Sequence, residues 1–468
     1  MKLVKNISLF ALGNIITLGV QFVMLPIYSR YLSVAEFGVV NSMQILRTFF
    51  LILLPLGLER SIYRVYYDYS TSEDKEKFVG SLLIGMLTIE VAILCLIFIS
   101  RDFVSLLFPS ISFVPYYLLT LISVLPVSII QLSKALNQVE EDAKIYITQS
   151  VAQLLLSTVA IIYFLIYKGM GAYGYVLGLL VGPTVLVFPV LYYLLSKIKL
   201  LFSFYYFRPA LLFSLPLLPM LLSSFALNLS DRFFIDNFFT QEDIGLYSLG
   251  YKMASLILLV GSSLYLAYTP VFYKLANQLP REDAVTKIRV HNDLYVGLVG
   301  LGTVGLFALC GPVIEWVFPS SYASAVIYCR WFCLVVFLTQ ITGLFNLMIY
   351  QAKNNKRLAL VVFIAAVVNV LLNYFLLESW GPLGAVYTSL VSCLLMFVGN
   401  ALLSVKSYYV PFAWNMTAKC ILLMVLFASL RYLGIAEWTT IGICFVATII
   451  IYGPGLLITV KKFKKIMA

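Results

Sequence analysis

The chain has 468 residues, 62% of them hydrophobic and 11% charged, with 32 Lys and Arg against 21 Asp and Glu for a net charge of +11. Soluble domains carry about a quarter of their residues as charges, so this composition excludes a water-soluble fold. One histidine, seven cysteines in or beside apolar runs without metal-type spacing, and no glycine-rich phosphate loop exclude His-based catalysis, a metal finger and self-powered ATP hydrolysis.

The apolar residues come in runs of about 20, the helical length that crosses roughly 30 Å of hydrocarbon. Barrel strands would alternate instead. In chain order, the runs predict helices at about 7–28, 37–58, 79–99, 113–135, 145–167 and 172–195. After a polar stretch come about 210–236, 243–271, 291–318, 324–350, 357–377 and 383–405, and then about 415–433 and 438–460. Met1-Lys-Leu-Val-Lys5 precedes the first run as it would in a signal peptide, but that run is long and lacks a cleavage site, so a retained helix is expected. The fold class is therefore an all-α integral membrane protein of about 14 transmembrane helices.

Most basic residues fall at the termini and in alternate loops, among them Lys75, Lys134, Lys144, Lys197, Arg281, Lys353 and the tail Lys461-Lys-Phe-Lys-Lys465. The opposite loops hold Arg30, Arg101, Lys168 and Arg431. This asymmetry predicts that both termini are cytoplasmic, and it accounts for the positive charge without a nucleic-acid partner.

An internal repeat gives the organisation. Ser33-Val-Ala-Glu-Phe-Gly38 recurs as Thr240-Gln-Glu-Asp-Ile-Gly245, Leu107-Phe-Pro-Ser110 as Val317-Phe-Pro-Ser320, and Gly171-Ala-Tyr-Gly174 as Gly381-Pro-Leu-Gly384, in the same order at nearly constant displacement. An even number of helices separates the copies, which predicts parallel repeats with binding between them. The expected division is a six-helix lobe over 1–196, a cytoplasmic linker over 197–209, a second six-helix lobe over 210–406, and two extra helices with a basic tail over 407–468. Ser33 with Glu36, and Thr240 with Asp243, have the spacing of capping boxes.

Charges inside apolar runs mark the candidate site. Arg47 and Lys252 lie near mid-membrane on repeat-equivalent helices, and each would cost at least about 2.5 kcal/mol facing lipid. Both are expected to line a hydrated, cationic central cavity, with a structural ion pair as the alternative, Arg with a planar fork and Lys as a point charge. Asp231 and Arg232 form either an interfacial ion pair or part of that cavity. Glu90 is the carboxylate near a midplane, a candidate partner for Arg47 or a proton- or sodium-coupling group. Glu59, Arg60 and Arg64 follow the second helix as a candidate cytoplasmic loading patch, which positive-inside anchoring explains equally well. Pro216 and Pro219 are candidate gating bends. No cofactor is expected.

Ser-Asp-Arg-Phe-Phe-Ile from Ser230, Asp243-Ile-Gly-Leu-Tyr-Ser-Leu-Gly-Tyr-Lys252, Leu25-Pro-Ile-Tyr-Ser-Arg-Tyr-Leu-Ser33 and Gly57-Leu-Glu-Arg-Ser-Ile-Tyr-Arg-Val-Tyr-Tyr67 carry a resemblance. They resemble the polysaccharide-export branch of the multidrug/oligosaccharidyl-lipid/polysaccharide (MOP) superfamily, in particular the Wzx-type flippases of bacterial O-antigen and capsule assembly. The resemblance implies an inner-membrane protein that moves an undecaprenyl-diphosphate-linked oligosaccharide outward by alternating access, with a polysaccharide polymerase and a chain-length regulator as candidate partners. A cation-coupled multidrug exporter of the same superfamily is the alternative, and a membrane polysaccharide polymerase a third reading disfavoured by short outward loops.

Overall fold

The computed structural model describes residues 19–467. Residues 19–31 are helical and form the end of α1, and the start of the helix predicted at 7–28 lies outside the described residues. Among the described residues, 13 helices are long and apolar enough to cross a membrane. They are α2 (Val34–Leu53), α3 (Ser72–Ile99), α4 (Phe113–Val139), α5 (Ala143–Tyr167), α6 (Gly171–Lys197), α7 (Phe204–Leu229) and α8 (Gln241–Gln278). Then follow α9 (Arg281–Val317), α10 (Ala325–Gln351), α11 (Asn355–Trp380), α12 (Gly384–Val405), α13 (Trp414–Tyr432) and α14 (Glu437–Lys464). No strand occurs among the described residues, so the all-α membrane fold expected from the apolar runs is the observed one.

The helix ends follow local chemistry. Ser33 accepts from the Glu36 N–H at 3.2 Å while Glu36 accepts from the Ser33 N–H at 3.0 Å, so the first predicted capping box forms at the start of α2. Thr240 and Asp243 make the same reciprocal pair at 3.1 and 3.3 Å at the start of α8. Thr71 and Asp142 cap α3 and α5 by accepting from the N–H three residues on. α8 and α9 run longer than their apolar stretches, 38 and 37 residues, because polar turns from Lys274 to Arg289 continue the helices until Pro280 breaks them.

The chain divides into two compact units, Met1–Gly245 and Leu246–Ala468. In the first, Leu58, Ile62, Phe78, Leu82, Met86, Leu132, Leu136, Leu194 and Phe207 pack as one apolar core joining α3, α4, α6 and the first half of α7. By sequence α7 opens the second repeat, and by packing it sits with the first unit: Ser214 donates to the Gly57 carbonyl at 3.2 Å, and Phe207 covers Gly85. In the second unit the buried spine is α10, flanked by α9 and α12.

The repeated motifs have a second role that the capping pattern did not reveal. A Cβ on Gly38 would stand 1.8 Å from the Gln241 carbonyl oxygen, and one on Gly245 would stand 2.2 Å from that of Val34. The starts of α2 and α8 thus cross backbone to backbone, each motif contributing the glycine that the other presses on. The other repeated glycine pair marks turns of positive φ, Gly171 at 57° and Gly381 at 71°. At the first of these the Glu36 carboxylate reaches in and accepts from the Ala172 N–H at 3.4 Å, tying the start of α2 to that of α6.

α7 is interrupted at Pro216 and Pro219. Pro216 lies within a tight turn at Leu215–Leu217, and Pro219 at the start of the helix after it, where α7 splits into Phe204–Ser214 and Leu218–Leu229.

Candidate functional site

Within the first unit, Arg47 sits about 9 Å from the C-terminal end of α2, at 1.5 Å per residue. Its Nη2 donates to the Leu179 carbonyl on α6 at 3.2 Å, while its Nε is buried without a partner. One turn before it, Gln44 donates to the Tyr175 hydroxyl at 2.7 Å, and Tyr28 meets the Tyr175 ring edge-on at 5.1 Å. No carboxylate lies within ion-pair distance of Arg47 among the described residues. The guanidinium is held by a carbonyl and neighboured by a phenol, and its charge is uncompensated.

Glu90 is fully buried on α3. Ser128 of α4 donates to its Oε2 at 3.0 Å, and its Oε1 has no partner. It therefore bonds a hydroxyl rather than Arg47.

Asp231 and Arg232 open the short helix Asp231–Phe238 that follows α7. Their side chains are 3% and 2% exposed and pair at 2.7 Å, and the guanidinium also donates to the Asn228 carbonyl at 2.9 Å. Of the two sequence readings, ion pair and cavity lining, the first describes the geometry, although the pair is buried rather than snorkelling. Nearby, Asp236 accepts from the Ser110 N–H at 3.2 Å and from the Ser110 hydroxyl and the Gln241 amide. Burial pushes its carboxyl above the ordinary value despite these donors. This network ties the loop after α3, home of the repeated Phe-Pro-Ser motif, to the start of α8.

Glu59, Arg60 and Arg64 lie beyond the end of α2 in the turns Leu58–Ser61 and Ile62–Val65. The Arg60 Nε stands 3.6 Å from the Glu59 carboxylate, and Arg64 pairs with Asp68. Both arginines remain half exposed, whereas one Glu59 oxygen is buried without a partner. That burial raises the Glu59 carboxyl above its ordinary value, against the lowering pull of its backbone hydrogen bond and of Arg60.

One cation escaped the sequence reading, which ended the fourth helix near 135 and left Lys134 at the loop. α4 continues to Val139, so Lys134 lies inside the span, where it donates to Gln153 of α5 at 2.8 Å. The available signal was the spacing of Gln131, Lys134 and Gln138 on one helical face.

In the second unit, Lys252 is half buried within α8, and its carbonyl accepts from Ser255 at 2.6 Å. Arg330 of α10 pairs with Glu437 at 2.5 Å, and Arg431 approaches the same carboxylate at 3.9 Å, so the last two helices are clamped to α10. His291 stacks on Tyr268 at 5.6 Å and its Nδ1 lies 2.8 Å from the Lys287 carbonyl. Six of the seven cysteines are buried and all are free, as expected of small core side chains.

Solved membrane proteins share this multi-helix fold. The chain superposes on "Lipid II flippase MurJ, inward closed conformation" with a TM-score of 0.68 and 18% identity, over 96% of this chain and 99% of that one. An inward-facing MATE family multidrug resistance transporter of the MOP superfamily matches with a TM-score of 0.60 and 15% identity, over 84% and 98% of the two chains. At these identities the likeness is one of fold. Residues 3–276, more than half of the chain, match the family described as "Polysaccharide biosynthesis protein", and the chain belongs to that family. An Lsg locus protein of Haemophilus influenzae (strain Rd) is 24% identical over 393 residues, 79% of this chain and 91% of that relative. The resemblance drawn from the Ser230–Lys252 and Leu25–Tyr67 motifs is borne out.

Proposed function

We propose that this transporter is a flippase that carries an undecaprenyl-diphosphate-linked oligosaccharide, an O-antigen or capsule repeat unit, from the cytoplasmic to the periplasmic leaflet by alternating access. The observation that carries the reading is Arg47. A guanidinium inside a span without a carboxylate partner is costly unless an anion completes it, and a diphosphate matches its planar donor fork. Lys252 provides a second intramembrane cation, from the second unit. Arg60 and Arg64, half exposed beyond α2, receive the diphosphate at the cytoplasmic side. The split in α7 at Pro216 and Pro219 gives a bend on which the two access states turn.

Glu90, buried with one free oxygen, is the group through which a proton or sodium gradient drives the cycle. The buried Asp231–Arg232 pair is neutral and stabilises the start of its helix rather than holding substrate. The setting is the bacterial inner membrane with both termini cytoplasmic, and the polymerase and chain-length regulator act on the delivered units. Glu90 also favours the second reading, a cation-coupled multidrug exporter. Deletion and rescue in the source cell separates them. The flippase reading expects surface glycan to vanish while complete repeat units accumulate on undecaprenyl diphosphate at the inner leaflet. Normal glycan with heightened sensitivity to cationic dyes would replace it by the exporter.

A further inference from the structure

Apart from Arg47 and Glu90, the first unit carries a polar cavity of about 300 Å³ where the start of α3 meets the ends of α4 and α6. Lys75, Glu76, Tyr66, Glu140 and Lys197 supply its polar groups, and the buried Val79 and Leu136 its apolar wall. Half of its charge is matched. Lys197 donates to one Glu140 oxygen at 2.5 Å, and the Tyr66 hydroxyl donates to the other at 3.2 Å. The other half is not. Among the described residues no carboxylate lies within ion-pair distance of Lys75, and no cation lies within that distance of Glu76. Nor do the two pair with each other, and consecutive helical side chains diverge. The Lys75 ammonium stands instead 4.9 Å from the centre of the Tyr66 ring. The neighbouring cations Lys77 and Lys199 are both taken by Glu73, at 3.0 and 3.1 Å.

The cavity thus presents one unmatched ammonium and one unmatched carboxylate. A simple anion is drawn by Lys75 and repelled by Glu76, and a simple cation the reverse, whereas a zwitterion satisfies both. The surroundings identify a lipid. Ile198 lines the cavity, and the chain after it lies along α3: the Ser81 hydroxyl donates to the Leu201 carbonyl at 2.7 Å, and a Cβ on Gly80 would stand 1.9 Å from the Lys199 carbonyl oxygen. That packing leaves Leu200, Leu201 and Phe202 exposed in succession, a surface that calls for hydrocarbon. The first turns of α3, by contrast, carry Glu73, Asp74, Lys75, Glu76 and Lys77. The cavity therefore lies at the boundary between the two, the level of lipid headgroups.

We infer that this cavity binds the phosphoethanolamine headgroup of a membrane lipid, with the phosphate at Lys75 and the ammonium at Glu76. Ser72, on the same wall, adds a hydroxyl for the phosphate. The site is independent of the cargo that Arg47 receives, and a bound headgroup joins α3 to the ends of α4 and α6.

The test adds lipids to the full chain, stripped of lipid in detergent, and reads bound molecules by native mass spectrometry. Phosphatidylethanolamine and phosphatidylglycerol with the same acyl chains are compared in equimolar mixture, with soluble glycerophosphoethanolamine as competitor. A charge-assisted hydrogen bond is worth about 1.5–3 kcal/mol, so wild type should bind the ethanolamine lipid at least about tenfold more tightly than the glycerol lipid. E76Q should abolish that preference, K75Q should weaken both lipids, and K77Q should behave as wild type because Lys77 is paired with Glu73. Equal binding of the two lipids by wild type, or a preference that survives in E76Q, would overturn the inference. Displacement of the lipid by the soluble headgroup at matched concentration would overturn the lipid as occupant.

Discussion

Replacing Gly38 by alanine tests whether the repeated motifs are crossing points. The added Cβ would lie 1.8 Å from the Gln241 carbonyl oxygen and 2.8 Å from its carbon, where ordinary contact begins at 3.4 Å. The obstacle is backbone on both sides, so no rotamer relieves it and the starts of α2 and α8 must part by about 1.6 Å. Overpacking of this kind costs about 1–3 kcal/mol, and the two capping boxes beside the crossing add about 1 kcal/mol if either is pulled open. A total near 3 kcal/mol lowers the thermal midpoint by roughly 6–12 °C for a unit of this size. The assay is thermal unfolding of detergent-solubilised protein followed by size-exclusion recovery. Gly302→Ala serves as the control, because nothing lies within 4 Å of its added Cβ and alanine favours helix by up to about 1 kcal/mol. G38A melting with the wild type would refute the crossing.

Three further outcomes are expected. Burial raises the Glu59 carboxyl, so its contribution to stability is present below the ordinary value of 4.5 and is lost as pH rises through the higher folded value. E59Q should therefore melt above wild type at neutral pH, and the gap should close on acidification below 4.5. In the second unit, R330Q leaves the Glu437 carboxylate part-buried with only Arg431 at 3.9 Å, and should destabilise more than the apolar double variant R330M/E437L, read as unfolding midpoints. P216A/P219A should insert at wild-type levels and slow transport, whereas unchanged transport would remove the α7 bend from the cycle.

Most of the helical plan was legible because runs of about 20 apolar residues admit one solution in lipid. Ends were less so where polar turns extend a helix, as in α8 and α9, and as at the end of α4, which runs on to Val139. The capping roles of Ser33 and Glu36 were readable from spacing, since both partners sit in one turn. The crossing at Gly38 and Gly245 was not, because it depends on what another helix presents. The same limit applies to the charges. Arg47 and Glu90 stood out by residue type, but the Leu179 carbonyl and Ser128 hydroxyl that hold them come from distant helices. Asp231 and Arg232 are adjacent in sequence, and their pairing was among the alternatives while the depth of its burial was not.

The central claim is that the chain moves a diphosphate lipid and that Arg47 receives it. The most direct measurement reconstitutes purified protein into liposomes with a labelled undecaprenyl-diphosphate oligosaccharide and follows its exposure to a membrane-impermeant glycosidase. Wild-type protein should expose the inner-leaflet pool with time, and R47Q should leave it protected while inserting normally. A protected pool with wild-type protein, or equal exposure with R47Q, would contradict the account.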